Sequence, residues 1–396
     1  MSSGSRTSIG NWALRSKGSR HGSSEAAIVK VMVLGLRGIP DVQGGVESHA
    51  QQLYPRLVDL GCQVEVIVRS PFVPKDVHEY AGVKLRRIWS PTKSGIEALV
   101  HSFLGTAYAI VKRPDVLHVH AVGPAIVAPL ARLFGLTVVM THHGPDYDRE
   151  KWGGFARFIL RSGERFGALA SQGRIAVSNG IRSSLVEAFG KPTTYIPNGV
   201  EIPGPVLDSD FVRALGATPG QYVLQVSRLV PEKRQLDLIE AFRRARLPGW
   251  KLILAGALTE DAYCARVRAA ATEAGSDVIL AGFVKGSRLA QLFAHAGLFV
   301  LPSSHEGLPI ALLEALSYGV PALASAIPAN LEVELPEESY FQLGNTVELA
   351  DKLQRSAGSA ADGEAREARV DGVRRRYDWD RIARETLRVY QDARRF

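Results

Sequence analysis

Two glutamates, Glu306 and Glu314, stand eight positions apart in the stretch "FVLPSSHEGLPIALLEALSYGVPALAS", on either side of a Gly-Leu-Pro turn. An apolar strand followed by a turn and a helix puts Glu306 before the helix and Glu314 within it, so the two hold different parts of one ligand. Carboxylates at a cleft accept hydrogen bonds from hydroxyl groups, which suits a polyhydroxylated molecule such as a sugar joined to a ribose. The plainer alternative is a glutamate serving the helix dipole at 306 and a solvated one at 314. Pro309 suits the first turn of the helix, and Gly307 and Leu308 offer backbone amides just before it, a place for a phosphate or a sugar hydroxyl.

Two further stretches carry residues of the same kind. In "VSRLVPEKR", Arg228 follows a strand and Lys233 lies five residues on, so together they could neutralise a diphosphate, Arg as a fork and Lys as a point charge. Arg234 reads as solvated. In "LRGIPDVQGGVESHAQQLYPRL", Gly44 and Gly45 precede a helix that begins near Val46. Successive glycines let backbone approach a ligand, and amides at a helix start favour an anion, although a tight turn alone also explains them. The dinucleotide-binding spacing G-x-G-x-x-G is absent, because Gly35, Gly38, Gly44 and Gly45 do not fit it.

Four histidines, His118, His120, His142 and His143, fall at the ends of two neighbouring strands and suggest zinc. No cysteine or acidic residue close by in sequence completes a ligand set, and zinc usually takes three or four. His118 therefore reads as a buried, satisfied residue and His120 as a ligand contact, with no metal expected.

These residues need a scaffold that brings strand ends together. Short β-branched runs recur between helical patterns: "VKVMVLG", "QVEVIVR", "VLHVH", "LTVVMTH" and "RIAVS". The pattern restarts after "TTYIPNGVEIPGP" with "QYVLQVS", "KLILAG", "DVILAGF", "LFVLPS" and "VPALAS". Alternating strands and helices predict α/β architecture: two Rossmann-like, doubly wound domains with parallel sheets, facing each other across an interdomain cleft. Ligands in such sheets bind at the carboxyl ends of the strands, where both unusual loops fall. Pro197, Gly199, Pro203, Gly204 and Pro205 mark the boundary. The expected units are a disordered tail at 1–27, an amino-terminal Rossmann-like domain at 28–200, a second Rossmann-like domain at 201–380 and a last helix at 381–396 that could pack back on the first domain.

Composition agrees with a globular chain, at 46% hydrophobic and 22% charged over 396 residues, more than one core usually organises. Cys62 and Cys264, far apart, read as buried small hydrophobes in a reducing compartment. The opening 25 residues lack the apolar run of a secretory signal. Pro124, Pro129, Arg132 and Gly135 break the apolar tract at 121–140 into a short helix and a strand, so no segment is expected to span a bilayer. The net charge of +8 permits an acidic partner without choosing one. A helix over about 153–167 gathers Arg157, Arg161 and Arg165 into one basic stripe, with Phe155, Phe158, Ile159 and Phe166 elsewhere around it. That stripe suits an anionic membrane surface or a lipid pyrophosphate, or else a solvated face.

Taken together, "EGLPIALLEA", "SRLVPEK", "IPNGV", "GGVE" and "DVLHVH", in this order-specific set, resemble the retaining glycosyltransferases of family four (glycosyl transferases group 1), which share the GT-B architecture. The resemblance runs from residue 29 to about 390. It implies transfer of a sugar from a nucleotide diphosphate sugar to an acceptor hydroxyl, with retention and no bound metal or other cofactor. It implies that Gly45 meets the donor phosphates, Arg228 and Lys233 the diphosphate, Glu306 the donor sugar and Glu314 the ribose. Gly282 and Phe283 in "AGF" match where the family holds the base, and His120 matches its cleft histidine. The acceptor expected is a lipid-linked saccharide in exopolysaccharide or surface polysaccharide assembly, met in the cytoplasm at the inner face of the plasma membrane. Two other readings are a sugar nucleotide 2-epimerase on the same scaffold and a basic nucleic-acid-binding protein. "GGVE" with "SRLVPEK" matches the transferases better, and no nucleic-acid recognition motif is found.

Overall fold

The computed structural model describes residues 28–91, 96–145, 147, 153–357 and 363–395. The segment expected to be a tail, 1–27, lies outside the described residues. The first half of the chain runs β1 (Lys30–Leu34), α1 (Gly45–Asp59), β2 (Gln63–Arg69), β3 (Glu79–Tyr80), β4 (Val83–Ile88), α2 (Ile96–Lys112) and β5 (Val116–His120). It continues through α3 (Ala128–Leu133), β6 (Val138–His142), α4 (Gly154–Ala170), β7 (Gly173–Ala176), α5 (Asn179–Phe189) and β8 (Thr194–Tyr195). These strands form one sheet in the order β3-β4-β2-β1-β5-β6-β7-β8, parallel except for the β3–β4 pair.

A second sheet follows α6 (Asp210–Ala214). Its elements are β9 (Tyr222–Val226), α7 (Gln235–Ala245), β10 (Lys251–Ala255), α8 (Ala262–Glu273), β11 (Val278–Gly282), α9 (Gly286–Ala294) and β12 (Leu298–Leu301). Then come α10 (Ile310–Ser317), β13 (Ala322–Ser325), α11 (Pro328–Leu331), β14 (Tyr340–Phe341), α12 (Thr346–Ser356), α13 (Gly363–Arg376) and α14 (Trp379–Ala393). The strand order is β11-β10-β9-β12-β13-β14, all parallel. Both sheets thus reverse their winding direction at one point, between β1 and β5 and between β9 and β12.

Side chains alternate across each sheet, and both faces are covered. Val31 and Val33 of β1 enter one apolar core, while Met32 and Leu34 enter the other. In β9, Tyr222 and Leu224 face one core and Val223 the opposite one. Strands buried on both faces read as unbroken apolar runs, which is why the central strands stand out in the sequence. β4 does not stand out: its alternation of Val83 and Leu85 with exposed Lys84 and Arg86 follows its place toward the edge of the sheet. Cys62 and Cys264 are both buried and free. Among the described residues no helix is long and apolar enough to cross a membrane.

The chain passes between the sheets twice, and the two passages touch. The Val200 amide donates to the Tyr377 carbonyl at 2.9 Å, and Val200 forms an isolated parallel bridge with Asp378. Directly after it, α14 begins, its amino terminus capped by the Asp378 side chain, which accepts from the Arg381 amide. The apolar face of α14, with Trp379, Ile382, Ala383 and Tyr390, is buried in the core beneath the first sheet, against α1. Gly199 lies under the Trp379 indole so closely that a Cβ there would come within 2.4 Å of the ring. Replacing Trp379 with Ala is expected to cost about 3–5 kcal/mol of stability, as for other large-to-small core changes. Denaturant unfolding measures it, and a loss below about 1 kcal/mol would show that α14 is not held by this residue.

Candidate active site

Where each sheet reverses direction, strands end side by side and their loops part, leaving a crevice. The β1 and β5 ends of the first sheet and the β9 and β12 ends of the second open on one shared cleft of about 1190 Å³. Of the residues expected at a donor site, Gly44, Gly45, Arg228, Lys233, Phe283, Glu306, Gly307, Leu308, Pro309 and Glu314 all line it. Gly282, at the end of β11 with φ +68°, stands immediately behind half-exposed Phe283 and does not itself line the cleft.

On the second-domain wall, Lys233 comes from the short turn after β9 and Glu306 from the loop after β12. Their side chains form an ion pair that is largely shielded from solvent. Arg228 lies 3.9 Å from Glu232 in the same turn, with a third of its side chain exposed to the cleft. Pro309 is the residue preceding α10, and its missing amide hydrogen leaves no orphan donor there. Glu314 sits one turn into α10. Burial raises its carboxyl from the usual 4.5 to about 7, and the charge of Glu201 adds to the shift. Its burial and raised pKa set Glu314 apart from the solvated residue of the plainer alternative.

The two domains come into close contact where this loop faces the first sheet. A Cβ on Gly307 would lie 1.8 Å from the His143 carbonyl oxygen, so only glycine lets the loop approach. The Asn198 side chain completes the contact, its Nδ2 donating to the Leu308 carbonyl at 3.3 Å while its Oδ1 accepts from His49 Nδ1 at 2.9 Å. Across the cleft mouth, Lys285 Nζ and Asp41 Oδ2 form a 3.1 Å bridge.

The expectation that His120 contacts a ligand is corrected. Its side chain is fully buried, packed below the cleft, with Nδ1 2.8 Å from His143 Nε2 and Nε2 bonded to the Tyr54 hydroxyl. His143, which follows β6, lines the cleft instead. Its place is legible in the sequence, since His143 directly follows "LTVVMTH", whose strand terminus is where ligands bind in such sheets. Three ring nitrogens, one each from His49, His120 and His143, do lie within 4.8 Å of one another. His118 bonds elsewhere, to Thr141, Tyr54 and Tyr390, and His142 pairs with Glu164 at 2.8 Å. The four histidines singled out for zinc therefore do not form one set. Burial pushes His49 down to about 4 and His118 to about 3, so both are neutral near pH 7.

The arginine stripe is real but sits outside the cleft. Arg157, Arg161 and Arg165 are exposed on α4, and Arg161 stacks on Tyr147. The phenylalanines expected elsewhere on the helix are exposed beside them, with Phe155 at 80% and Phe158 at 66% of full accessibility. The buried side of α4 is made of small residues: a Cβ on Gly163 would strike the Val122 carbonyl, and one on Gly167 the Met140 sulfur. The helix thus packs its small face inward. Ile159 and Leu160 of the same helix line the cleft.

With this geometry in view, comparison with known proteins is decisive. The family model "Glycosyltransferase Family 4" matches residues 43–202, and "Glycosyl transferases group 1" matches 210–357, one on each domain. The chain belongs to this glycosyltransferase family. It is 28% identical over 373 residues to the phosphatidyl-myo-inositol mannosyltransferase of Mycolicibacterium smegmatis, covering 89% of this chain and 91% of that one. It is 27% identical over 296 residues to the GDP-mannose:cellobiosyl-diphosphopolyprenol alpha-mannosyltransferase of Xanthomonas campestris, covering 72% and 75%. Among solved structures, sucrose-phosphate synthase from Thermosynechococcus elongatus superimposes with a TM-score of 0.78 at 20% identity, covering 92% of this chain and 98% of that one. HepE from Anabaena, in complex with UDP-glucose, gives 0.74 at 20%, covering 90% and 99%. These likenesses establish the GT-B fold of the glycosyltransferase.

Two outcomes test the site. Glu306→Gln and Arg228→Ala should each lower glycosyl transfer about tenfold or more while the far-ultraviolet spectrum stays unchanged, in line with losses seen when one transition-state charge partner is removed. Wild-type turnover in either would sink the assignment. Glu314 titrates above its unfolded value, so between pH 4.5 and 7 the folded chain holds a proton that the unfolded chain has lost, and stability falls as pH rises through that window. Glu314→Gln should abolish this slope, gaining on the wild type by about 1–3 kcal/mol from pH 4.5 to 7.5. Parallel stability curves for the two would contradict it.

Proposed function

We propose that this glycosyltransferase moves a sugar from a nucleoside diphosphate sugar to a hydroxyl of a lipid-linked saccharide, in surface polysaccharide assembly, with retention and without a metal ion. The observation that carries the reading is the double exposure of α4. Its inner edge, Ile159 and Leu160, reaches the cleft that also holds Arg228, Lys233, Glu306 and Glu314. Its outer face carries three arginines among exposed phenylalanines, the composition of a helix that lies on an anionic lipid surface. On this reading one helix touches both the cleft and the plane in which a lipid-linked acceptor would be held. Relatives named for phosphatidyl-myo-inositol and diphosphopolyprenol acceptors support the same class of acceptor, and GDP-mannose and UDP-glucose are the first donors to try.

In the transfer, the bond between the anomeric carbon and the diphosphate oxygen breaks, the acceptor oxygen bonds to that carbon, the acceptor's hydroxyl proton passes to the departing diphosphate, and negative charge grows on the leaving group as the bond lengthens. Arg228 and Lys233 are placed to balance that charge, and the backbone ahead of α10 adds its amides. Glu306 and Glu314 accept hydrogen bonds from the sugar and the ribose. With cations supplied by the protein, no divalent ion is required in this proposal.

Release of nucleoside diphosphate should rise when a diphospholipid-linked saccharide is added, remain unchanged in EDTA, and yield a product of the donor's anomeric configuration by proton NMR. Loss of activity in EDTA with recovery on magnesium would refute the metal-free reading, and an inverted product would refute retention. The membrane surface is tested separately: replacing Arg157, Arg161 and Arg165 with Gln should weaken sedimentation with phosphatidylglycerol vesicles, each cation near an anionic surface contributing about 1 kcal/mol. Donor hydrolysis in solution should not change. Undiminished vesicle binding would reduce the stripe to a solvated face.

A further inference from the structure

Behind His143 runs a line of buried polar rings that no part of the donor site requires. Tyr390 of α14 places its hydroxyl 2.7 Å from His118 Nδ1, and Tyr54 of α1 places its own 3.0 Å from the same nitrogen. The Tyr54 hydroxyl also bonds His120 Nε2, and His120 Nδ1 lies 2.8 Å from His143 Nε2. Tyr54, His118, His120 and Tyr390 are each buried completely. Water does not reach these groups, so their protons have to be shared out among themselves.

One sharing is consistent with these contacts and with the hydrogen bond between the Tyr54 and Tyr390 hydroxyls. A neutral imidazole carries one N–H and one lone pair, and a phenol donates one hydrogen. His118 Nδ1 offers at most one lone pair, and the closer Tyr390 hydroxyl fills it, with His118 Nε2 donating to Thr141 Oγ1 at 2.7 Å. The Tyr54 hydroxyl then donates to His120 Nε2, the nearer of its two histidine partners. That places the His120 proton on Nδ1, where it is donated to His143 Nε2. His143 is left with its proton on Nδ1, the nitrogen that has no protein partner among the described residues.

We infer that Tyr54 and His120 are positioning residues that fix the tautomer of His143, so that this ring offers an N–H and not a lone pair to whatever occupies the cleft. His143 then acts as a hydrogen-bond donor to an oxygen of the bound sugar nucleotide or acceptor, and takes no proton from it. Burial and the neighbouring rings hold His120 and His143 well below the ordinary histidine range, so the arrangement stays neutral across physiological pH. Tyr390 ties the device to α14, the last element of the chain. The inference rests on the reading that His143 touches substrate.

Selective nitrogen-15 labelling of histidine reads the tautomers directly in the full-length protein. The expected result is a protonated Nδ1 on both His143 and His120, with Tyr54→Phe releasing His143 to a mixture of tautomers. A His143 protonated at Nε2 in the wild type would overturn the inference. Kinetics give a second readout. Tyr54→Phe and His120→Leu should lower kcat about tenfold with donor KM within about twofold, whereas His120→Asn, whose amide can still donate from the Nδ1 position, should recover most of the rate. Equal losses in His120→Leu and His120→Asn would show a merely structural role and overturn the proposal. His143→Ala separates the two levels: full activity in that variant removes the premise that His143 meets substrate, while an impaired His143→Ala beside a fully active Tyr54→Phe refutes only the relay.

Discussion

The contact on which the rest of this protein depends is the clamp between its two interdomain passages. Two domains joined by one strand of chain could adopt many relative poses. Here the outgoing segment at Gly199–Val200 and the returning one at Tyr377–Trp379 are hydrogen-bonded to each other, and the indole of Trp379 covers Gly199. The return passage continues directly into α14, buried against α1, so the second domain hangs from the first by two tethers that begin at the same place. The pivot lies next to the cleft floor: Asn198, the residue before Gly199, bridges His49 of the first domain and the Leu308 carbonyl of the second. Any rocking of the domains is thus felt first at the loop carrying Glu306.

The two walls of the cleft solve opposite electrostatic problems. The second-domain wall holds ionised groups, with Lys233 and Glu306 paired and Arg228 beside Glu232, so it can meet an anion by exchanging internal partners for it. Charges half removed from water act over short distances at much greater strength than on the surface. The first-domain floor is made of neutral imidazoles and phenols whose burial disfavours the charged form. A leaving group that gains negative charge is best met on one side by cations and on the other by dipoles that do not themselves ionise. The asymmetry between the walls fits the leaving group of the proposed transfer.

Much of this was legible in the chain, and the parts that were not have identifiable causes. The central strands announced themselves because burial on both faces removes polar residues from them. β4 escaped notice because one of its faces is wet, and β3, β8 and β14 because two residues carry no period. The second-domain wall was readable since Arg228, Lys233, Glu306 and Glu314 each sit within a few residues of a strand end. The first-domain floor was not. His49, Tyr54, His120, His143 and Tyr390 come from four elements spread over more than 300 positions, and whether a histidine at a strand end faces the cleft or the interior depends on packing that spacing does not record. His120, the last residue of β5, is in register with Thr141 of β6, so His143 stands two residues further toward the cleft, with its ring stacked on the covered His120 at a centroid distance of 5.1 Å.

The same limit explains α4. Its pattern of arginines every four residues was plain, but the location of its phenylalanines turned on which side of the helix is pressed against the domain. An amphipathic helix ordinarily buries its large apolar residues and exposes small or charged ones. Here Gly163 and Gly167 allow the backbone to lie against Val122 and Met140, and that close approach leaves no space for a phenylalanine on the inner side. Phe155 and Phe158 are turned outward as a result, together with Arg157, Arg161 and Arg165. Large apolar groups exposed singly on a protein surface carry little meaning, but a helix that buries its glycines and exposes its aromatics beside three cations has the amphipathic order suited to an interface rather than to water. A flat inner face also brings α4 close enough to the sheet for Ile159 and Leu160 to reach the cleft. The glycines that let the helix lie close to the sheet thus leave one edge of it at the cleft and its aromatics and arginines at the outer surface.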